Sequence, residues 1–156
     1  MKKTKKFLWL IGIIPIISLP VISSSCDISE KDFQEKDVPL LTDGQIQTII
    51  DAFEFKLTAE GKKLMQENKL LEKWDKFVRM RENKQEIAEQ IINYNIEFKK
   101  YFIFKYHPLT GFGSAHKYNF KLGYNDNNKI VIKYQILCID RNDQIEKASE
   151  VKLDLN

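Results

Sequence analysis

HPLTGFGSAHKYNFKLGY, residues His107–Tyr124, is the stretch where the chain changes its period. Pro108, Gly111 and Gly113 punctuate any regular element. After them Tyr118, Phe120, Leu122 and Tyr124 alternate with polar neighbours, the period of a half-buried strand. Before them, apolar residues recur every three or four positions. The joint therefore divides a helical half from a strand half.

Upstream, Thr42 with Gln45 three residues later makes a capping box. Ile46, Ile49, Ile50, Phe53 and Leu57 follow at helical spacing, so a first helix is expected over Thr42–Leu57. Thr58 can cap a second helix, whose apolar stripe is Leu64, Leu70, Leu71, Trp74, Phe77 and Val78. N83-K-Q-E reads as a break, and Ile87, Ile91, Tyr94, Phe98 and Phe102 predict a third helix. Downstream, N125-D-N-N is a turn, Lys129–Asp140 a long strand, R141-N-D-Q a second turn and Ile145–Leu155 a weaker strand. The sequence thus predicts an α+β fold, about three helices followed by a three-stranded antiparallel meander.

The first 43 residues have another character. M1-K-K-T-K-K holds four lysines and no acid, residues 7–22 carry no charge, and Ser23–Ser25 precede Cys26. A positive start, a short apolar run and small residues make up a secretory signal. Sixteen residues fall short of the roughly 20 needed to span a bilayer as a helix, and Pro15 and Pro20 interrupt this run. An uncleaved membrane helix is the runner-up reading.

Cys26 distinguishes the two. The segment resembles a bacterial lipoprotein signal, although Ser23 stands where an aliphatic residue is usual and Ile22 lies one place earlier. The resemblance implies that Cys26 becomes the first mature residue and carries a diacylglyceryl group. Two acyl chains anchor a protein stably where one does not. The expected organisation is a signal peptide over 1–25, a lipidated N-terminus and flexible tether over 26–43, and a small extracellular domain over 44–156. The chain would then sit on the outer face of the plasma membrane.

Composition adds a second likeness. Lys outnumbers Arg 22 to 3, with 20 Ile, 10 Asn and 5 Ala, the bias of an AT-rich genome. With the serine-ended signal, this resembles the surface lipoproteins of mycoplasmas. Four of the 25 basic residues and none of the 22 acidic ones lie in residues 1–25, so the remainder carries 21 against 22 and a net charge of −1. No basic stripe marks that remainder as a nucleic-acid surface, and no nucleic-acid partner is expected.

Ten of the eighteen aromatic residues lie between Tyr94 and Tyr124. The period assigns Phe98, Phe102, Tyr118 and Phe120 to the core. Tyr101, Phe104, Tyr106 and Phe112 fall off those faces, so at least two of them are expected to stand exposed and to bind a host or membrane partner. The clustering also resembles the aromatic-motif membrane proteins of mycoplasmas. Cys138 lies in an apolar run and reads as a buried small hydrophobe. His107 and His116 read as solvated loop histidines. With Asp126 they lack the spacing of a metal motif, and no cofactor is expected. The leading expectation is a non-enzymatic, lipid-anchored binding domain. Behind it stand a lipid-anchored, nuclease-like hydrolase using His107 or His116, and an accessory subunit or shortened relative of a larger membrane lipoprotein.

Overall fold

The computed structural model describes residues 38–82 and 87–155. The signal, Cys26 and most of the tether lie outside the described residues. The described residues form five helices and five strands: α1 (Asp43–Asp51), β1 (Glu54–Leu57), α2 (Ala59–Gln66), α3 (Leu70–Glu82), α4 (Ala88–Tyr94), α5 (Ile96–Tyr101), β2 (Phe102–Lys105), β3 (His116–Tyr124), β4 (Ile130–Cys138) and β5 (Gln144–Lys152). The fold is α+β, and its C-terminal half is the antiparallel meander β3-β4-β5. Among the described residues no helix is long and apolar enough to cross a membrane.

The helical half is more divided than its periodicity predicts. The Thr42 capping box forms: Thr42 Oγ1 accepts from Gln45 N–H at 3.3 Å, and Thr42 N–H donates to Gln45 Oε1 at 2.9 Å. The helix it starts stops at Asp51, however, and Glu54–Leu57 pairs antiparallel with Phe102–Lys105. Phe55 and Leu57 share the buried face of that short strand. A four-residue strand inside a helical pattern is decided by its distant partner, not by local spacing.

The second expected helix divides at Asn68, which takes the left-handed φ of 58°. Lys69 N–H donates to Leu64 C=O at 2.9 Å and Asn68 N–H to Met65 C=O at 3.1 Å, a Schellman ending with asparagine in the usual glycine place. The third divides at Asn95, whose Oδ1 caps α5 by accepting from Phe98 N–H at 3.0 Å.

In the meander, Asn125 Oδ1 accepts from the N–H groups of Asn127 and Lys129, both at 3.0 Å, closing the β3–β4 turn. A 3-10 turn (Ile139–Arg141) with left-handed Asn142 and Asp143 leads into β5. There the register slips: Ile136 pairs with Lys147 but Leu137 with Ile145, so Glu146 is the extra residue of a β-bulge. Phe120, Leu122, Ile130, Ile132, Tyr134 and Ile136 share one core with Phe55, Trp74, Phe77, Phe98 and Phe102.

Burial raises the phenols of Tyr118, Tyr124 and Tyr134 above the ordinary tyrosine range. The neighbouring Tyr106 and Tyr134 rings add to the effect at Tyr118, and the Asp75 carboxylate adds to it at Tyr124. In the unfolded chain these groups lose their protons near pH ~10, while the native domain keeps them. The stabilisation is complete below that pH and is lost as pH rises past it. In an alkaline titration followed by tyrosinate absorbance, these three should therefore ionise at higher pH in the folded domain than in the unfolded chain. Their ionisation at the unfolded chain's pH in a domain with native circular dichroism would refute the packing described.

Candidate functional site

The four aromatic residues expected to meet a partner are not exposed. Tyr101, Phe104, Tyr106 and Phe112 are each half-buried and pack against the core. Phe104 is in ring contact with Phe53, Phe55, Tyr106 and Phe120, at 5.6–5.8 Å between centroids. Tyr106 also donates its hydroxyl to Asn93 Oδ1 at 3.0 Å. The helical period misplaces Phe104 because β2 breaks the helix after Tyr101 and sets Phe104 against Phe55 on β1.

The histidines divide. His107 is half-buried in the loop after β2, with Nδ1 2.6 Å from Pro108 C=O. His116 is not a solvated loop residue. It opens β3, and its side chain has no solvent exposure. Phe112 contacts both rings, at 5.5 Å to His107 and 6.4 Å to His116. Asp126 lies in the turn beyond the opposite end of β3 and joins neither.

What His116 does join is a buried cluster at one end of the meander. Its register partner on β4 is Cys138, which is fully buried as expected. From β5 the bulge delivers Glu146, whose side chain is only 3% exposed. His116 Nε2 is 3.0 Å from Glu146 Oε1, and Nδ1 is 2.9 Å from Ser114 C=O. A carbonyl only accepts, so Nδ1 carries a hydrogen and donates. The Nε2–Oε1 contact then also requires a proton between them, which leaves the pair neutral overall in either arrangement. Such neutrality suits a place where an isolated charge would be costly. The ring nitrogen, the thiol sulfur and a carboxylate oxygen all lie within 4.8 Å of one another.

A strap of chain, residues 38–41, is tied down beside this cluster. Leu41 N–H donates to Glu146 Oε2 at 2.8 Å, Ser114 Oγ donates to Pro39 C=O at 2.7 Å, and Arg141 Nε donates to Val38 C=O at 2.8 Å. Sequence reasoning missed Glu146 because an acid in a weak strand pattern gives no sign of the bulge that re-aims it.

A second place differs in every respect. Met65, Leu70, Leu71, Ile130, Leu153 and Leu155 wall an open cleft of about 420 Å³, to which Asn68, Asn128 and Lys129 add the polar groups. Leu71 and Leu155 are 56% and 54% exposed there. Another cleft, of about 510 Å³, is lined largely by charged and amide side chains, among them Arg81, Lys121, Lys133 and Glu150. No protein-family model, no characterised protein and no solved structure matches the chain.

Proposed function

We infer that the chain is a lipid-anchored binding protein of the outer membrane face, whose α+β domain holds an amphiphilic ligand without transforming it. The observation that supports this most is a contrast. The His116 cluster has the residue types of catalysis, but among the described residues its side chains are at most 3% exposed, which also weighs against a hydrolase built on that histidine. The Leu71 cleft has an opening and apolar walls, and among the described residues no His, Cys, Asp or Glu lines it. Ligand sites are concave, mostly apolar, about 300–1,000 Å³ in volume and supplied with a few polar groups; a cleft of about 420 Å³ fits that description. Lys129 favours an anionic head group over a cationic one. A diacylated Cys26 would hold the domain close to a source of such ligands.

Two measurements test the two halves of the reading. Cys26→Ser should abolish fatty-acid incorporation and leave an uncleaved precursor, because serine forms no thioether; intact mass and fatty-acid labelling report both. Unchanged lipid incorporation would sink the anchor. For the ligand, membranes bearing the chain are treated with a photoreactive fatty acid, and labelled peptides are mapped by mass spectrometry. Label should concentrate on the segments around Met65–Leu71 and Leu153–Leu155 and fall at least ~10-fold in Leu71→Glu, an exposed substitution whose effect on stability should stay near 0.5 kcal/mol. Label spread over other surfaces, or indifferent to Leu71→Glu, would favour a protein partner instead.

A further inference from the structure

We propose that His116, Cys138 and Glu146 form a site for one thiophilic divalent cation of the zinc type. Three adjacent strands, β3, β4 and β5, each supply one ligand atom: an imidazole nitrogen, a thiolate sulfur and a carboxylate oxygen. Zinc takes sulfur at about 2.3 Å and nitrogen or oxygen at about 2.0–2.2 Å in a tetrahedron, which places ligand atoms about 3.3–3.6 Å apart. The three donor atoms already lie within 4.8 Å of one another, so closing on a cation asks for movements of about an ångström.

The supporting hydrogen bonds are those a metal site needs. A metal-bound histidine gives its other N–H to a carbonyl or carboxylate, which fixes the ring. His116 gives Nδ1–H to Ser114 C=O, leaving Nε2 as the ligand. A ligating carboxylate is itself held, and Glu146 Oε2 accepts from Leu41 N–H, leaving Oε1 free to turn to the cation. A simple His–Glu lock would use the same two residues but gives no role to the thiol beside them.

Charge closes as well. A dication with one thiolate, one carboxylate and a neutral imidazole sums to zero, as burial demands. On entry, the proton shared by Nε2 and Oε1 and the thiol proton of Cys138 leave to solvent. The N–H and S–H bonds are replaced by metal–nitrogen and metal–sulfur bonds, and nothing is oxidised or reduced. The fourth position falls to a water. Through Glu146 the cation would also fasten the 38–41 strap.

The test uses the reduced full chain in detergent micelles, carrying Cys26→Ser so that Cys138 is the one thiol left. Co2+ is the probe and Zn2+ the competitor. The expected result is one Co2+ per chain with a thiolate-to-cobalt charge-transfer band, displaced by equimolar Zn2+. Cys138→Ala should remove the band. Glu146→Gln, which keeps an oxygen for Leu41 N–H, should weaken Co2+ binding at least ~10-fold. Absence of the thiolate band in the folded reduced chain, or its survival in Cys138→Ala, would overturn the site and leave a buried His–Glu pair. A native circular dichroism spectrum in Cys138→Ala separates lost ligation from lost folding.

Discussion

Trp74→Ala should cost the domain about 3–5 kcal/mol, a large part of the ~5–15 kcal/mol by which a domain of this kind is stable. Trp74 has no solvent exposure. Its ring lies 5.3 Å from Phe102, 5.7 Å from Phe55 and 6.4 Å from Phe98, so it joins β1, β2 and α5 to α3. Its Nε1–H also donates to Gly123 C=O at 3.2 Å, reaching the meander. Alanine leaves a cavity among three rings and deprives that carbonyl of its side-chain donor. Trp74→Phe should recover most of the packing but not the hydrogen bond, whose net worth is about 1 kcal/mol. Urea unfolding followed by circular dichroism gives both values. A loss below ~1 kcal/mol for Trp74→Ala would mean that the two halves of the fold do not meet at this ring.

Gly61→Ala is the second large effect, and its sign is contrary to helix propensity. Alanine in a helix interior is ordinarily favoured over glycine by about 0.5–1 kcal/mol. At Gly61 in α2, an added Cβ would fall 2.2 Å from the Tyr101 carbonyl oxygen and 3.1 Å from Leu57 Cδ2. The oxygen cannot retreat freely, because it accepts from Thr58 N–H at 3.1 Å while Thr58 Oγ1 donates to Lys100 C=O at 2.6 Å. Overpacking of this sort costs about 1–3 kcal/mol and sometimes more, which outweighs the propensity gain. The variant should melt clearly below the parent, as α2 is pushed off the end of α5. Gly44→Ala is the control: nothing lies within 4 Å of its added Cβ, and it should be neutral or mildly stabilising. A Gly61→Ala domain as stable as Gly44→Ala would show that the close approach is absent.

These two residues also show what the amino-acid order reveals and what it conceals. The meander was legible because period-two alternation at Tyr118–Tyr124 and the Asn125 turn are local signals, and β3 differs from expectation only by beginning at His116. The stripe containing Trp74 was legible for the same reason at Leu70, Trp74 and Phe77, which are buried, but not at Leu71, which is 56% exposed. The pairing of β1 with β2 was not, since Glu54 finds Lys105 across most of the helical half, and neither four-residue segment has a period of its own. The cuts at Asn68 and Asn95 are single-residue events that a periodic reading passes over. Burial of Cys138 followed from its apolar run, but its company did not. His116 stood one residue outside the expected strand, and Glu146 reaches it only because one residue of β5 is skipped in the ladder.

The strap at residues 38–41 gives the fold a mechanical character. Tension arriving from the N-terminal side enters the domain at Val38, where three bonds lead to three separate places: Arg141 in the turn before β5, Ser114 in the glycine loop and Glu146 in the bulge. The load is shared among segments that are already joined through the ladder, so no strand is peeled alone. Two of the three bonds, at Val38 and Pro39, lie outside the core, and the third is made by Leu41, which is buried in it. Under a steady pull on Val38, the bonds at Val38 and Pro39 would carry the load before Leu41, whose burial in the core makes it the stop behind them.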